Sequence, residues 1–171
     1  MTDYPNPLAV AAKGALAGAV GTAAITLDMQ KVPALIERRF DISMTPEPPP
    51  DADIPEDPRA ELAGRVATGV LERPLPEEGK VTAGQAIHWS YGTLWGVVYG
   101  ILHSGLRLPA LVHGMLFGSV VGAVASTVLP AMGLAPSPTE QPKRISAAQV
   151  GYHLVFGWTT ALTFWLLTLR D

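Results

Sequence analysis

The sequence predicts an all-α integral membrane protein with four transmembrane helices that form two duplicated helix pairs. Three observations carry this expectation. Four segments, about 8–27, 82–102, 108–134 and 145–169, each supply the ~20 mainly apolar residues that cross a bilayer. Short sequence fragments recur in the same order in the two halves of the chain. Glycines recur at four-residue steps along three of the segments, a spacing that lets helices approach closely in lipid.

The composition agrees. Of 171 residues, 48% are hydrophobic and only 16% charged, against roughly 25% charged in a soluble domain. The mean hydropathy is +0.25 even though one long stretch is polar. The chain has no cysteine, which excludes disulfides, Cys-ligated zinc, iron–sulfur clusters and c-type haem attachment. With 12 basic and 15 acidic residues and a net charge of −3, it lacks the basic face of a nucleic-acid binder.

The first segment carries Lys13, the one formal charge inside the four segments. Asp3 stands where a signal peptide would be basic, so this helix is expected to be retained. Residues 28–80 form a polar, Pro- and acid-rich loop. Within it Thr45–Pro58 reads TPEPPPDADIPEDP and suits an extended, polyproline-like chain. A short amphipathic helix is expected over about 58–73. Asp57 caps it, Pro58 opens it, Glu61 and Arg65 pair, and Leu62, Val66 and Val70 recur every four residues. Pro74 ends it. Packing on the chain's own bundle is the simpler role for this helix, ahead of a membrane surface or a partner. The second polar loop is Thr139–Lys143. Basic residues gather on the side of these two loops: Lys31, Arg38, Arg39, Arg59, Arg65, Arg73, Lys80, Lys143 and Arg144. Arg107 and Arg170 fall on the other side, so the loops are expected in the cytoplasm and both termini outside.

The internal match pairs KGALAGAV from Lys13 with HGMLFGSV from His113, and VPAL at Val32–Leu35 with LPAM at Leu129–Met132. It also pairs TAGQ at Thr82–Gln85 with SAAQ at Ser146–Gln149, and His88 and Gly92 with His153 and Gly157. Helices one and three would then run in one direction and helices two and four in the other, about an axis along the membrane normal. The long loop would be an insertion in the first repeat. Gly92, Gly96 and Gly100 form one glycine stripe, Gly114, Gly118 and Gly122 another, and Gly14 and Gly18 a third. The stripes either hold the four helices to one another or form a face for a second membrane protein.

Ionisable groups inside a membrane are costly and mark candidate sites. His88 and His153 are expected at similar depth, facing each other across the pseudo-axis, with Gln85 and Gln149 one turn away. The pair supports three readings: hydrogen bonding within the bundle, a proton or polar-solute path, and a metal or bis-His haem b centre. Lys13, His103 and His113 form a second polar cluster near the opposite interface. No Asp or Glu falls within an apolar segment, no catalytic constellation stands out, and no metal site or resident cofactor is expected.

HGMLFGSVVGAVASTVLPAMGLAPSP, followed by GYHLVFGW, resembles the YagU-like bacterial inner-membrane family. The likeness lies in the Pro130–Met132–Gly133–Leu134–Pro136 run, in His153–Leu154–Val155 and in the Gly-rich first helix followed by VPAL. It touches most of the apolar chain but not the acidic loop. It implies a small multi-pass protein of the bacterial inner membrane, and carries over no catalytic residue.

The expected role is non-enzymatic: an accessory or structural subunit in the lipid bilayer that packs laterally against other membrane subunits or a second copy, without nucleic acid. The alternatives are a small autonomous transporter or channel with an intramembrane His pair, and a haem b or metal protein.

Overall fold

A computed structural model describes residues 6–44, 54–106 and 108–169; the side chain of Ser104 is not among them. Most of the Pro- and acid-rich run (45–53), Arg107 and Arg170 lie outside the described residues. These residues form five helices and no strand: α1 Pro7–Phe40, α2 Pro58–Gly69, α3 Glu77–Gly105, α4 Ala110–Ala131 and α5 Lys143–Thr168. Three of them, α1, α4 and α5, are long and apolar enough to cross a membrane. α3, at 29 residues, is long enough, but its polar first turns and its Gly, His, Ser and Tyr residues make it less apolar.

α1 runs 13 residues further than the apolar segment that predicts it, through Pro33 to Phe40. Hydropathy locates the limit of the hydrocarbon, whereas charged residues beyond that limit remain good helix formers. Asp41 closes α1 in the left-handed conformation, with φ 54° and its N–H on the Glu37 carbonyl. Arg38 and Arg39 in the last turn complement the helix dipole. α4 ends in a Schellman motif. Gly133 takes φ +66°, and the Leu134 N–H reaches the Leu129 carbonyl at 2.9 Å while the Leu134 side chain is fully buried. The P-x-M-G-L run is thus a helix stop: proline late in the helix, glycine at the left-handed position, leucine as the hydrophobic contact.

In lateral order the long helices run α3–α1–α5–α4. α1 and α4 point one way, α3 and α5 the other, so every close pair is antiparallel. The closest approaches are at glycine. A Cβ added at Gly14 would stand 2.5 Å from the Gly96 carbonyl oxygen, and one at Gly96 would run into the Gly14 carbonyl. Gly114 and Gly157 repeat this reciprocal contact between α4 and α5. Where the Cβ is missing, a glycine Hα points at the facing carbonyl. Such Cα–H···O contacts contribute roughly 0.5–1 kcal/mol each. Gly18 and Gly118 extend the same contacts by one turn, Gly100 sits on the Val10 carbonyl, and Gly92 and Gly122 receive side chains. All eight stripe glycines therefore face another element of the bundle.

The sequence match aligns His88 with His153, but the contacts set a register one helical turn away. Gly96 and Gly157 occupy equivalent places, which makes His153 the counterpart of Gly92 in the second helix pair. Thr22 fills the hollow at Gly92, whereas on the other pair His153 fills the hollow at Gly122. Bulk has moved from one partner to the other, so comparison of small-residue patterns slips by a turn.

α3 and α4 are kept apart by rings instead of touching at the backbone. Tyr99 lies 5.0 Å from Phe117 and Trp95 lies 5.9 Å from Phe117, both edge-on. These rings join Ala17, Ile25, Val121, Phe156, Ala161 and Phe164 in one core.

α2 begins as its sequence predicts. The Asp57 carboxylate accepts the N–H groups of Arg59 and Ala60 at 2.9 and 3.3 Å. The buried face, however, is Ala63, Gly64 and Ala67, not the expected Leu62–Val66–Val70 stripe. A Cβ on Gly84 of α3 would stand 2.7–2.8 Å from the Arg59–Ala60 backbone, so only small side chains fit between the two helices. Val66 and Val70 point outward, and α2 ends at Gly69, short of Pro74. Arg65 reaches across to the Met132 carbonyl at 2.6 Å and ties α2 to the end of α4.

Gly96→Leu should separate α1 from α3 and cost about 3 kcal/mol, as over-packing of a tight contact does. Gly69→Ala, where an added Cβ meets nothing within 4 Å, should be neutral. Thermal melting of the two variants in mild detergent checks this; equal midpoints would refute the packing role of Gly96.

Candidate functional site

The polar groups within the bundle begin with threonines. The Thr22 hydroxyl donates to the Gly18 carbonyl at 2.8 Å, and the Thr26 hydroxyl donates to the Thr22 carbonyl at 2.7 Å. With its one proton spent, the Thr26 oxygen is an acceptor for His88 Nε2–H, 3.1 Å away. His88 is therefore held to α1 as its Nε2–H tautomer. His153 is the opposite case. Its Nδ1 is 2.8 Å from the Gln149 carbonyl, which can only accept, so His153 carries the proton on Nδ1. Its ring lies over Gly122 of α4. Among the described residues the two imidazoles share no hydrogen bond or ring contact. They belong to different interfaces, and the expected facing pair is not formed. The haem reading needs two imidazoles on facing helices, and this pair does not supply them. Gln149 donates to Gln141 at 3.2 Å, and Gln85 is exposed on α3.

The histidines that do meet are His103 and His113. The short connection from α3 to α4 brings them together: the Leu106 N–H closes on the Leu102 carbonyl, and the His113 N–H starts α4 from the Pro109 carbonyl. Their Nδ1 atoms are 3.1 Å apart, their planes within 15° and their ring centroids 5.2 Å apart. The centroid distance exceeds the N···N distance by about two ring radii. The rings are thus nearly coplanar and meet edge to edge, as an N–H···N hydrogen bond requires. One proton lies between the two Nδ1 atoms.

Tyr99 borders that proton. Its side chain is fully buried, and its hydroxyl is 3.4 Å from His103 Nδ1. Buried donors take partners. His103 Nδ1, which holds either one lone pair or one proton, faces both the Tyr99 hydroxyl and His113 Nδ1, so the three groups form one polar chain. The Tyr99 ring packs 4.7 Å from His113 and 5.6 Å from Phe164. This cluster can hold and pass a proton, and it joins the ends of α3, α4 and α5. It offers neither a nucleophile paired with a base nor a carboxylate. Among the described residues no group of three or more His, Asp or Glu could hold a metal.

Lys13, expected with His103 and His113, is half-buried on α1 and has interactions of its own. Sequence reasoning missed Tyr99, Thr26 and Phe164. The spacing Tyr99–His103 on one face of α3, followed by His113 across a turn of four residues, was the available signal. Thr160 was missed as well. Its buried hydroxyl has no hydrogen-bond partner among the described residues and faces Gly21 of α1, where a Cβ would collide with it. The glycine Hα is its contact.

Compared with known proteins, the chain matches no family model, and no curated protein and no solved structure matches it significantly.

His103→Leu or His113→Leu alone should cost about 1–3 kcal/mol, because each leaves a buried polar partner unsatisfied. The double variant should cost clearly less than the sum. Denaturation of all three in detergent measures the coupling; strict additivity would show that the two rings do not share a proton.

Proposed function

We propose that this chain is a non-enzymatic integral membrane protein of four spans, built as two like helix pairs, that acts as an accessory subunit packed laterally in a larger membrane assembly. The observation that carries this reading is apolar surface on the loop side, beyond the reach of the hydrocarbon. Gly18, Gly92, Gly118 and Gly157 fall near the middle of their apolar stretches and in one layer of contacts. About ten residues on either side of that layer fill a ~30 Å hydrocarbon core at ~1.5 Å per residue. α1 leaves the core between Asp28 and Leu35, and α2 lies against the first turns of α3 outside it. There Leu35 is 66% exposed, Phe40 64%, Val70 73% and Leu71 64%. Leu35 and Phe40 on α1, and Val70 and Leu71 in the turn that follows α2, are apolar side chains turned outward, which favours a surface for a partner.

The recurrent Gly–Gly contacts support the duplication, and the close packing of α3 along α1 supports α3 as the fourth span. The basic residues of the loops favour the cytoplasm for this side. The resemblance to the YagU-like family favours a bacterial inner membrane.

The second reading is a small autonomous carrier, and the His103–His113 proton is the observation in its favour. Proteoliposomes distinguish it: a carrier of this design loses proton-coupled flux in His113→Leu.

For the accessory reading, the tagged chain extracted in mild detergent from its own membrane should bring down stoichiometric partners. Val70→Asp combined with Leu71→Asp should lower their recovery about tenfold, a loss on the order of 1.4 kcal/mol of binding, while the melting midpoint stays unchanged. Wild type recovered alone, or partners unaffected by the double variant, would overturn it.

A further inference from the structure

The first half of α5 and the outward half of α1 leave a groove of about 570 Å³ between them. Val32 and Ile36 of α1 form one wall, and Ala148 and Gly151 of α5 form the floor. The recess exists because these floor residues are small: a Cβ added at Gly151 meets nothing within 4 Å. Arg144 stands at one end and Trp158 at the other. Their separation along α5 is about 21 Å at ~1.5 Å per residue. One leaflet contributes ~15 Å of hydrocarbon and then its headgroup layer. The groove therefore runs from the mid-plane layer near Gly157, through one leaflet, and ends with a guanidinium at headgroup depth.

Among the described residues at that end, Arg38, Arg39, Lys143 and Arg144 outnumber Glu37 and Asp41. Arg144 Nε donates to the Ser43 carbonyl at 3.0 Å, which pins the guanidinium while its other N–H groups remain for a second acceptor. Lys143, Arg38 and Arg39 are exposed nearby at the ends of α5 and α1. The Glu37 carboxylate is engaged by the Met44 N–H at 2.8 Å. Asp28, the carboxylate in the groove, lies level with Tyr152, about 12 Å further in than Arg144, and so does not compete for an anion there.

We propose that this groove is a seat for one phospholipid with an anionic headgroup, its phosphate on Arg144 and one acyl chain laid over Gly151 towards Trp158. A guanidinium binds a phosphate through paired N–H donors. The proposal rests on the four-span reading and specifies a site on the loop-side leaflet.

Native mass spectrometry of the full chain in mild detergent, titrated with phosphatidylglycerol or phosphatidylethanolamine, tests it. Wild type should retain one phosphatidylglycerol about fivefold more strongly than phosphatidylethanolamine, the factor that one basic side chain near a lipid headgroup supplies. Arg144→Gln should abolish that preference. Gly151→Leu fills open space and should keep the fold while lowering retention of both lipids about fivefold or more. Leu116→Ala, on the exposed face of α4, should behave as wild type. Equal retention by wild type and Gly151→Leu, or no headgroup preference in wild type, overturns the proposal. Carbonate extraction of the same membranes keeps the two readings apart. Release of wild-type chain from the membrane sinks the four-span reading, whereas a chain that stays in the membrane without lipid preference sinks only the groove.

Discussion

Backbone contact between helices at glycine is the constraint on which the rest of this structure depends. Lipid offers no hydrophobic drive for two apolar helices to associate, so close packing has to supply the attraction. At Gly14–Gly96 and Gly114–Gly157 the helices meet carbonyl to Hα in both directions. Any side chain there would break both contacts at once. Where the helices diverge by a turn, one partner fills the hollow of the other: Thr22 at Gly92, His153 at Gly122. The positions of those two side chains are consequences of the glycine contacts, and the hydrogen bonds of each follow from its position. Thr22 and Thr26 bond back to their own helix, His88 bonds to Thr26, and His153 bonds to the turn before it.

With α1–α3, α1–α5 and α4–α5 all in close contact, the interface between α3 and α4 is the wide one. α3 and α4 are joined by a short turn, yet rings hold them apart: Trp95 and Tyr99 from one, Phe117 and His113 from the other. The one fully buried phenol of this layer needs a hydrogen-bond partner, and His103 provides it. His103 in turn meets His113 through a shared proton. Buried polar chains of this kind stabilise when every member is satisfied and are costly when one is not. Here the chain closes the end of the bundle opposite the long loop.

At the loop end of the bundle the same economy of small residues recurs. α2 lies close on α3 because Gly84 admits the Arg59–Ala60 backbone and because Ala63, Gly64 and Ala67 face inward. The larger Val66 and Val70 are turned out. Arg65 then fastens the strap to the carbonyl end of α4, where Gly133 and Leu134 have already stopped the helix. The P-x-M-G-L run, which in the sequence carries a family likeness, has a local physical function as a helix terminus.

By itself the sequence determined the helical class and the local helix ends. Apolar length marked helices over 8–27, 82–102, 108–134 and 145–169, and the described helices contain nearly all of each. Asp57 and Pro58 marked the start of α2. Four-residue glycine spacing marked the faces that touch, because a stripe is a property of one helix. Which partner each stripe meets, and in what register, is a property of two helices. Only the tertiary structure decided that His153 stands where Gly92 does, that His88 and His153 serve separate interfaces, and that His103 and His113 share a proton. The reason is steric: a hollow can be filled from either side, so the same contact can be written with the large residue on either helix, and a single chain's pattern does not say which.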